Sequence, residues 1–236
     1  MSEWWTYRLK DFLLFSPRTY ERLFELYNAA IWPAQIVALG FGVAIWGLLT
    51  RVSAAGARWI AGILAGAWLW VAIAFQMSRY ARINWAATYF GWAFVLEAAL
   101  LLWFGVIRAR LKFARRKDGV GWLGLGLLLF ALWAQPLTGL LLGRSWRRLE
   151  LFGVTPDPTV IATLGLFLLA RDEGCRLLIV VPVIWCAVSG ATLWAMKSSE
   201  AWIPPLAAAM TLIALKHRRA ARVKEKSGRH LAELVR

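Results

Sequence analysis

After Asn28 the chain falls into apolar runs at about 31–50, 59–77, 85–107, 120–143, 153–170, 177–196 and 201–215, separated by short charged breaks. A helix needs roughly 20 apolar residues to cross bilayer hydrocarbon, where only helices and closed barrels satisfy their own backbone groups. The first four runs and the sixth have that length; the fifth and seventh are shorter. Of 236 residues, 60% are apolar and 17% charged, and mean hydropathy is +0.57. A soluble domain of this size has too little interior to hide that much apolar surface. The pattern predicts an all-α fold, a polytopic transmembrane helix bundle of about seven spans. Residues 28–215 form the bundle, 1–27 an interfacial N-terminal arm and 216–236 a basic cytoplasmic tail.

Basic residues near span ends are retained on the cytoplasmic side. Two dense basic blocks, Arg108 to Lys117 and the tail from Lys216, hold 14 of the 28 Lys and Arg. A re-entrant fifth run would leave six spans and part the two blocks, whereas seven spans place both on one face. The expected orientation has the N-terminus outside and the C-terminus in the cytoplasm. The net charge of +15 then reflects topology and attraction to anionic headgroups. No nucleic-acid partner is expected, because no aromatic-interleaved basic module is present. The mixed-charge start, without a basic end, a long apolar stretch or a small-residue cleavage site, is not expected to act as a cleavable signal peptide.

Within the arm, Ser16-Pro17 reads as an N-cap followed by proline at the first helical position. Tyr20, Leu23, Phe24 and Tyr27 then recur on one face, opposite Arg18-Glu21 and Arg22-Glu25 pairs. This predicts an interfacial amphipathic helix lying on the bilayer, with Trp4, Trp5, Phe12 and Phe15 anchored at the same depth.

Many of the tryptophans mark span ends: Trp32, Trp59, Trp85, Trp103, Trp122, Trp194 and Trp202 fit an aromatic belt. Trp46, Trp68, Trp70, Trp92, Trp133 and Trp185 lie deeper, where their N-H groups need acceptors within the bundle or on a partner. Gly40, Gly42, Gly62 and Gly66 have the spacing of close helix packing, within the monomer or at a seam between copies.

Candidate chemistry is sparse. Cys175 and Cys186 make no disulfide framework or metal pair, and His217 and His230 both lie in the tail, so no cofactor and no metal is expected. Hydrolase and nucleotide-binding signatures are absent, which argues against an enzyme. Glu97 lies twelve positions into the span that starts at Trp85, about 18 Å along a helix and so near the midplane. A charge there is costly and marks a functional site by default; the bland alternative is a carboxyl hydrogen-bonded to a neighbouring helix.

Asn28, Gln35, Gln76, Asn84, Gln135, Thr138, Asp157 and Thr159 fall on the outer half in the seven-span arrangement. Their convergence would form an outward polar vestibule ending at Glu97, with Gln135, Asn84, Gln35, Asp157 and Gln76 along the substrate or proton path. Against this, Asp157-Pro158 also reads as the cap and first residue of the fifth helix. Gln135-Pro136 marks a kink in the fourth span, and broken helices recur at transporter sites.

Four stretches, Y-N-A-A-I-W-P-A-Q at 27–35, I-N-W-A-A at 83–87, Q-P-L-T-G at 135–139 and F-G-V-T-P-D-P-T from Phe152 with Leu-Gly following to Gly165, run through most of the chain. In these the sequence resembles the domain-of-unknown-function family 6064, uncharacterised bacterial membrane proteins. The resemblance implies a multi-pass protein of the bacterial inner membrane and supplies no substrate. Two functional classes remain: a small-solute or proton-linked transporter-like bundle, or a non-catalytic accessory or assembly subunit of a larger membrane complex. The second would dock a membrane-protein partner or another copy through the deep tryptophans and the arm.

Overall fold

The computed structural model describes residues 15–234 except 52, 114–116, 142, 144 and 172–175, and leaves aside the side chains of 176 and 222–234. Trp4, Trp5 and Phe12 therefore lie outside the described residues. The fold is all-α, and the described residues hold no strand beyond an isolated bridge between Phe113 and Ala170.

The elements are α1 (Pro17–Ala30), α2 (Ala34–Thr50), α3 (Ala54–Trp70), α4 (Ala87–Leu101), α5 (Gly119–Leu129), α6 (Gln135–Leu141), α7 (Pro156–Leu169), α8 (Val180–Ala195) and α9 (Ile203–Leu234). π-Helical segments extend α3 through Val71–Met77 and α4 through Leu102–Ile107, and Phe130–Ala134 joins α5 to α6. Where a kink is expected, at Gln135-Pro136, the chain carries this π turn just ahead of the proline, within one helix of 23 residues. Wider i→i+5 bonding rearranges the ladder just ahead of a proline that has no N-H to offer.

Four helices, Ala54–Arg82, Ala87–Ile107, Gly119–Leu141 and Leu177–Ala195, are long and apolar enough to cross a membrane, and α1 with α2, bent by 88°, would make a fifth. This corrects the seven-span count. The run at 153–170 forms only the 14-residue α7, about 21 Å long. The run at 201–215 opens a 32-residue helix whose second half turns basic from Lys216.

Helix α7 is the centre of the molecule, with every one of its residues buried. Against α5, a Cβ on Gly165 would stand 2.7 Å from the Gly124 carbonyl oxygen, and one on Gly124 would stand 2.8 Å from that of Gly165. Only glycine allows backbones to approach so closely. Gly190 likewise makes room for Pro205, and Gly105 for Ala61. The glycines singled out by spacing behave otherwise: nothing lies within 4 Å of a Cβ on Gly40 or Gly66, and only Gly42, against Leu132, packs tightly. Gly62 and Gly66 instead line an apolar groove of about 590 Å³ between α2 and α3, floored by Phe152 and Val154.

Helix α1 starts as read, with the Ser16 hydroxyl accepting from the Thr19 amide at 3.2 Å and Pro17 in the first turn. Its apolar stripe, however, packs on the protein itself. The Phe24 and Tyr27 rings lie 5.2 Å from Phe75, and Tyr20 meets Tyr80 edge-on at 5.9 Å. At one end of the bundle the Arg171 amide donates to the Lys112 carbonyl at 2.7 Å, and Arg218 donates to the Arg171 carbonyl. The two basic blocks thus share one end, and the arm lies at the other.

Candidate functional site

The first turn of α7 carries Asp157, whose carboxylate accepts from Trp185 Nε1 and from Ser189 Oγ on α8, both at 2.7 Å. Trp185 and Ser189 are four apart, so one face of α8 presents both donors. Asp157 is not the N-cap the sequence indicated; Thr155 holds that position and Pro156 starts the helix. The second proline merely continues the first turn, where its missing N-H costs nothing. That places Asp157 inside the helix, with its side chain turned to a neighbour.

A run of aromatic rings leads away from the carboxyl through Trp185. Trp185 meets Phe90 and Phe94 edge-on at 5.6 and 5.1 Å, Phe94 lies 4.4 Å from Trp68, and Trp68 Nε1 donates to Thr163 of α7 at 3.0 Å. Two of the deep tryptophans thus find their acceptors on the central helix. A third, Trp70, donates at 3.1 Å to the Tyr27 hydroxyl, which itself donates to the Val154 carbonyl at 2.8 Å. Trp46, Trp92 and Trp133 point outward.

The segment before α7 is folded by its own hydroxyls. Gly153, at a φ of +75°, donates its amide at 2.8 Å to Thr159, which donates to the Thr155 carbonyl at 2.7 Å. Asn28 binds the same connection through the Arg147 and Leu149 carbonyls at 2.9 and 3.0 Å, and Gln35 donates to the Asn28 carbonyl at 2.7 Å.

The predicted residues therefore divide. Asp157 has a polar neighbourhood toward the arm end: Thr192 follows Ser189 one turn along α8, and Tyr80 lies beside Thr192 and Asn84. Gln135 lines a narrow cleft with Glu150 and Glu200 at that end, and Thr138 bonds the Gln135 carbonyl. Gln35 serves the bend between α1 and α2. Glu97 and Gln76 are fully buried, and neither Glu97 oxygen nor either end of the Gln76 amide meets a hydrogen-bond partner among the described residues. Gly91 packs against Met77 and the Ala72 carbonyl, and Glu97, six residues further along α4, lies about 9 Å beyond that contact. Glu97 is also one turn past Phe94, and so one turn beyond the ring that touches Trp185.

Ser189, Thr163 and Tyr80 were not singled out in the sequence, and Tyr27 was picked out only for the apolar stripe of α1 and its motif. The i, i+4 pairing of Trp185 with Ser189 on an apolar helix is the signal that could have found the first. Among the described residues no group of three or more His, Cys, Asp or Glu could hold a metal ion.

Two of the four motifs that carry the resemblance meet here, where Tyr27 donates to Val154, while Asn28 and Gln35 of the first hold the connection beside it. The sequence pattern of the family of unknown function DUF6064 matches residues 18–225. The chain belongs to DUF6064. That match takes in the helices of this site, Asp157 and Glu97 included. No curated protein and no solved structure matches this DUF6064 chain.

Proposed function

We propose that the chain is an integral membrane protein that passes protons, alone or with a small solute, through its helix bundle, with Asp157 and Glu97 as the protonatable groups. The observation that carries this reading is Glu97 itself: a carboxyl with no exposed surface and no hydrogen-bond partner among the described residues. Burying such a group uncompensated costs stability, and intramembrane acids are retained for transfer or binding. Helix α7 supports the same reading, since a short enclosed helix that starts inside the bundle with an acid in its first turn resembles the broken helices of transporter sites. Entry would be from the arm end, past Asn84, Tyr80 and Thr192 to Asp157, then past Trp185 and Phe94 to Glu97, with Gln135 and Gln76 as flanking polar groups. The end where Lys112, Arg171 and Arg218 meet would face the cytoplasm of a bacterial inner membrane.

Infrared spectra across pH 5 to 9 test this reading. A carboxyl band that changes with pH in the wild type and is lost in Glu97→Gln supports it. The same spectra in both proteins would remove Glu97 from the path.

One observation favours the accessory reading as a second. Trp85 in the turn before α4, then Tyr89, Trp92, Leu96 and Trp103 along α4 and its π extension, follow a heptad-like spacing, and each is between 46% and 67% exposed. A stripe with that spacing suits a partner helix. A stoichiometric companion that co-purifies in mild detergent and is lost on Trp92→Ala would favour this reading.

A further inference from the structure

At the arm end, a cavity of about 700 Å³ opens between α1, the turn that follows the α3 π segment, and the connection into α7. Its floor is apolar, made by Leu23, Leu26 and Ile83, and five arginines surround it: Arg18 and Arg22 from α1, Arg79 and Arg82 from the turn, and Arg148 from the connection. Two of the five are neutralised. Arg148 donates to Glu25 at 2.5 Å and to Glu21 at 2.8 Å, and Arg22 donates to Glu25 at 2.7 Å. Arg18, Arg79 and Arg82 form no ion pair among the described residues, so three like charges face one cavity. Such an arrangement repels itself and concentrates anions.

We infer that this cavity is a binding site for a phosphate-bearing anion, held by Arg18, Arg79 and Arg82. The guanidinium fork matches phosphate oxygens in paired hydrogen bonds. The apolar floor fits an anion that carries a hydrocarbon chain, as an anionic phospholipid does; free phosphate offers the same headgroup chemistry without the chain. The site stands apart from Asp157 and Glu97, and apart from the basic blocks at the opposite end of the bundle.

The test is native mass spectrometry of the delipidated full-length protein with added phosphatidylglycerol or phosphatidylcholine, with and without inorganic phosphate. Phosphatidylglycerol should be retained in preference to phosphatidylcholine. Arg79→Gln with Arg82→Gln should lower that retention about five-fold per charge removed. Retention that persists in millimolar phosphate identifies the lipid as the source. Phosphate that displaces the lipid, and raises the thermal midpoint of wild type but not of the double variant, identifies the free anion. Arg18→Gln, on the exposed side of α1, carries the same comparison if the double variant misfolds, and Lys216→Gln at the far end must leave retention unchanged. Equal retention of both lipids, or retention unaltered by Arg79→Gln/Arg82→Gln or by Arg18→Gln, overturns the assignment.

Discussion

Replacing Asp157 with Leu keeps the branch at Cγ, puts two bulkier methyl groups where the oxygens were, and removes both acceptors from α8's donors; the added bulk can only raise the cost. Trp185 Nε1 and Ser189 Oγ each lose a partner at 2.7 Å in a region where neither side chain reaches solvent. An orphaned buried donor costs about 1–3 kcal/mol. Two would cost about 2–6 kcal/mol, but the serine hydroxyl can turn back to a carbonyl one turn earlier on its own helix, which leaves only the Trp185 donor orphaned and lowers the total to about 1–3 kcal/mol. Asp157→Asn keeps one acceptor for Trp185 and offers Ser189 an amide, so it should cost no more than about 1 kcal/mol. The assay is reversible unfolding in mixed dodecyl maltoside and SDS micelles, followed by helical circular dichroism. Ser189→Ala should destabilise the wild type and be nearly silent in the Asp157→Leu background, because the bond it removes is already gone. Asp157→Leu within about 0.5 kcal/mol of wild type, against the cost of an orphaned donor, would refute the reasoning, as would Asn as damaging as Leu.

The contact between α5 and α7 predicts that Gly165→Ala destabilises the bundle by about 1–3 kcal/mol, since its Cβ would meet backbone atoms of Gly124 and Leu128 at 2.7 and 2.8 Å; Gly66→Ala, with nothing within 4 Å, should be nearly neutral in the same assay. The arm should be pH-sensitive. Hydrogen bonds from Arg22, and then from Arg148, hold the Glu25 carboxyl below its ordinary 4.5, so the docking it contributes is present above that value and is lost as pH falls through the lowered one. A spin label at Leu26 should therefore report an immobile arm at pH 7 and a loosened one well below pH 4.5, and Arg148→Gln should narrow that difference; equal mobility at both pH values would remove the ion pairs from the docking.

Helix α1 shows how far the sequence could be read. Its cap, first proline and apolar stripe were all legible, because each depends on local spacing. What the stripe faces was not, since Tyr20, Phe24 and Tyr27 would be equally apolar against lipid or against Phe75. The same ambiguity hid α7. A helix buried on every side has the composition of a short membrane span, so the run at 153–170 gave no sign that it lies at the centre. Glycine spacing failed for a related reason: Gly62 and Gly66 have the four-residue spacing of close packing yet meet no backbone, whereas Gly124 and Gly165, on different helices with no spacing to mark them, bring two backbones together. Asp157 was picked out for its polarity but given a capping role, because Pro158 hid that Pro156 had already begun the helix. Glu97 needed no neighbour to be noticed; its depth in an apolar run was enough.

Proton flux tests the central claim most directly. The protein would be reconstituted in liposomes that hold a pH-sensitive dye, and a potassium diffusion potential set with valinomycin would drive protons inward. Wild type should acidify the interior faster than protein-free liposomes, and Glu97→Gln, folded and equally incorporated, should fall to the protein-free rate. Wild type no faster than empty liposomes, or Glu97→Gln as fast as wild type, would contradict a proton path through this carboxyl.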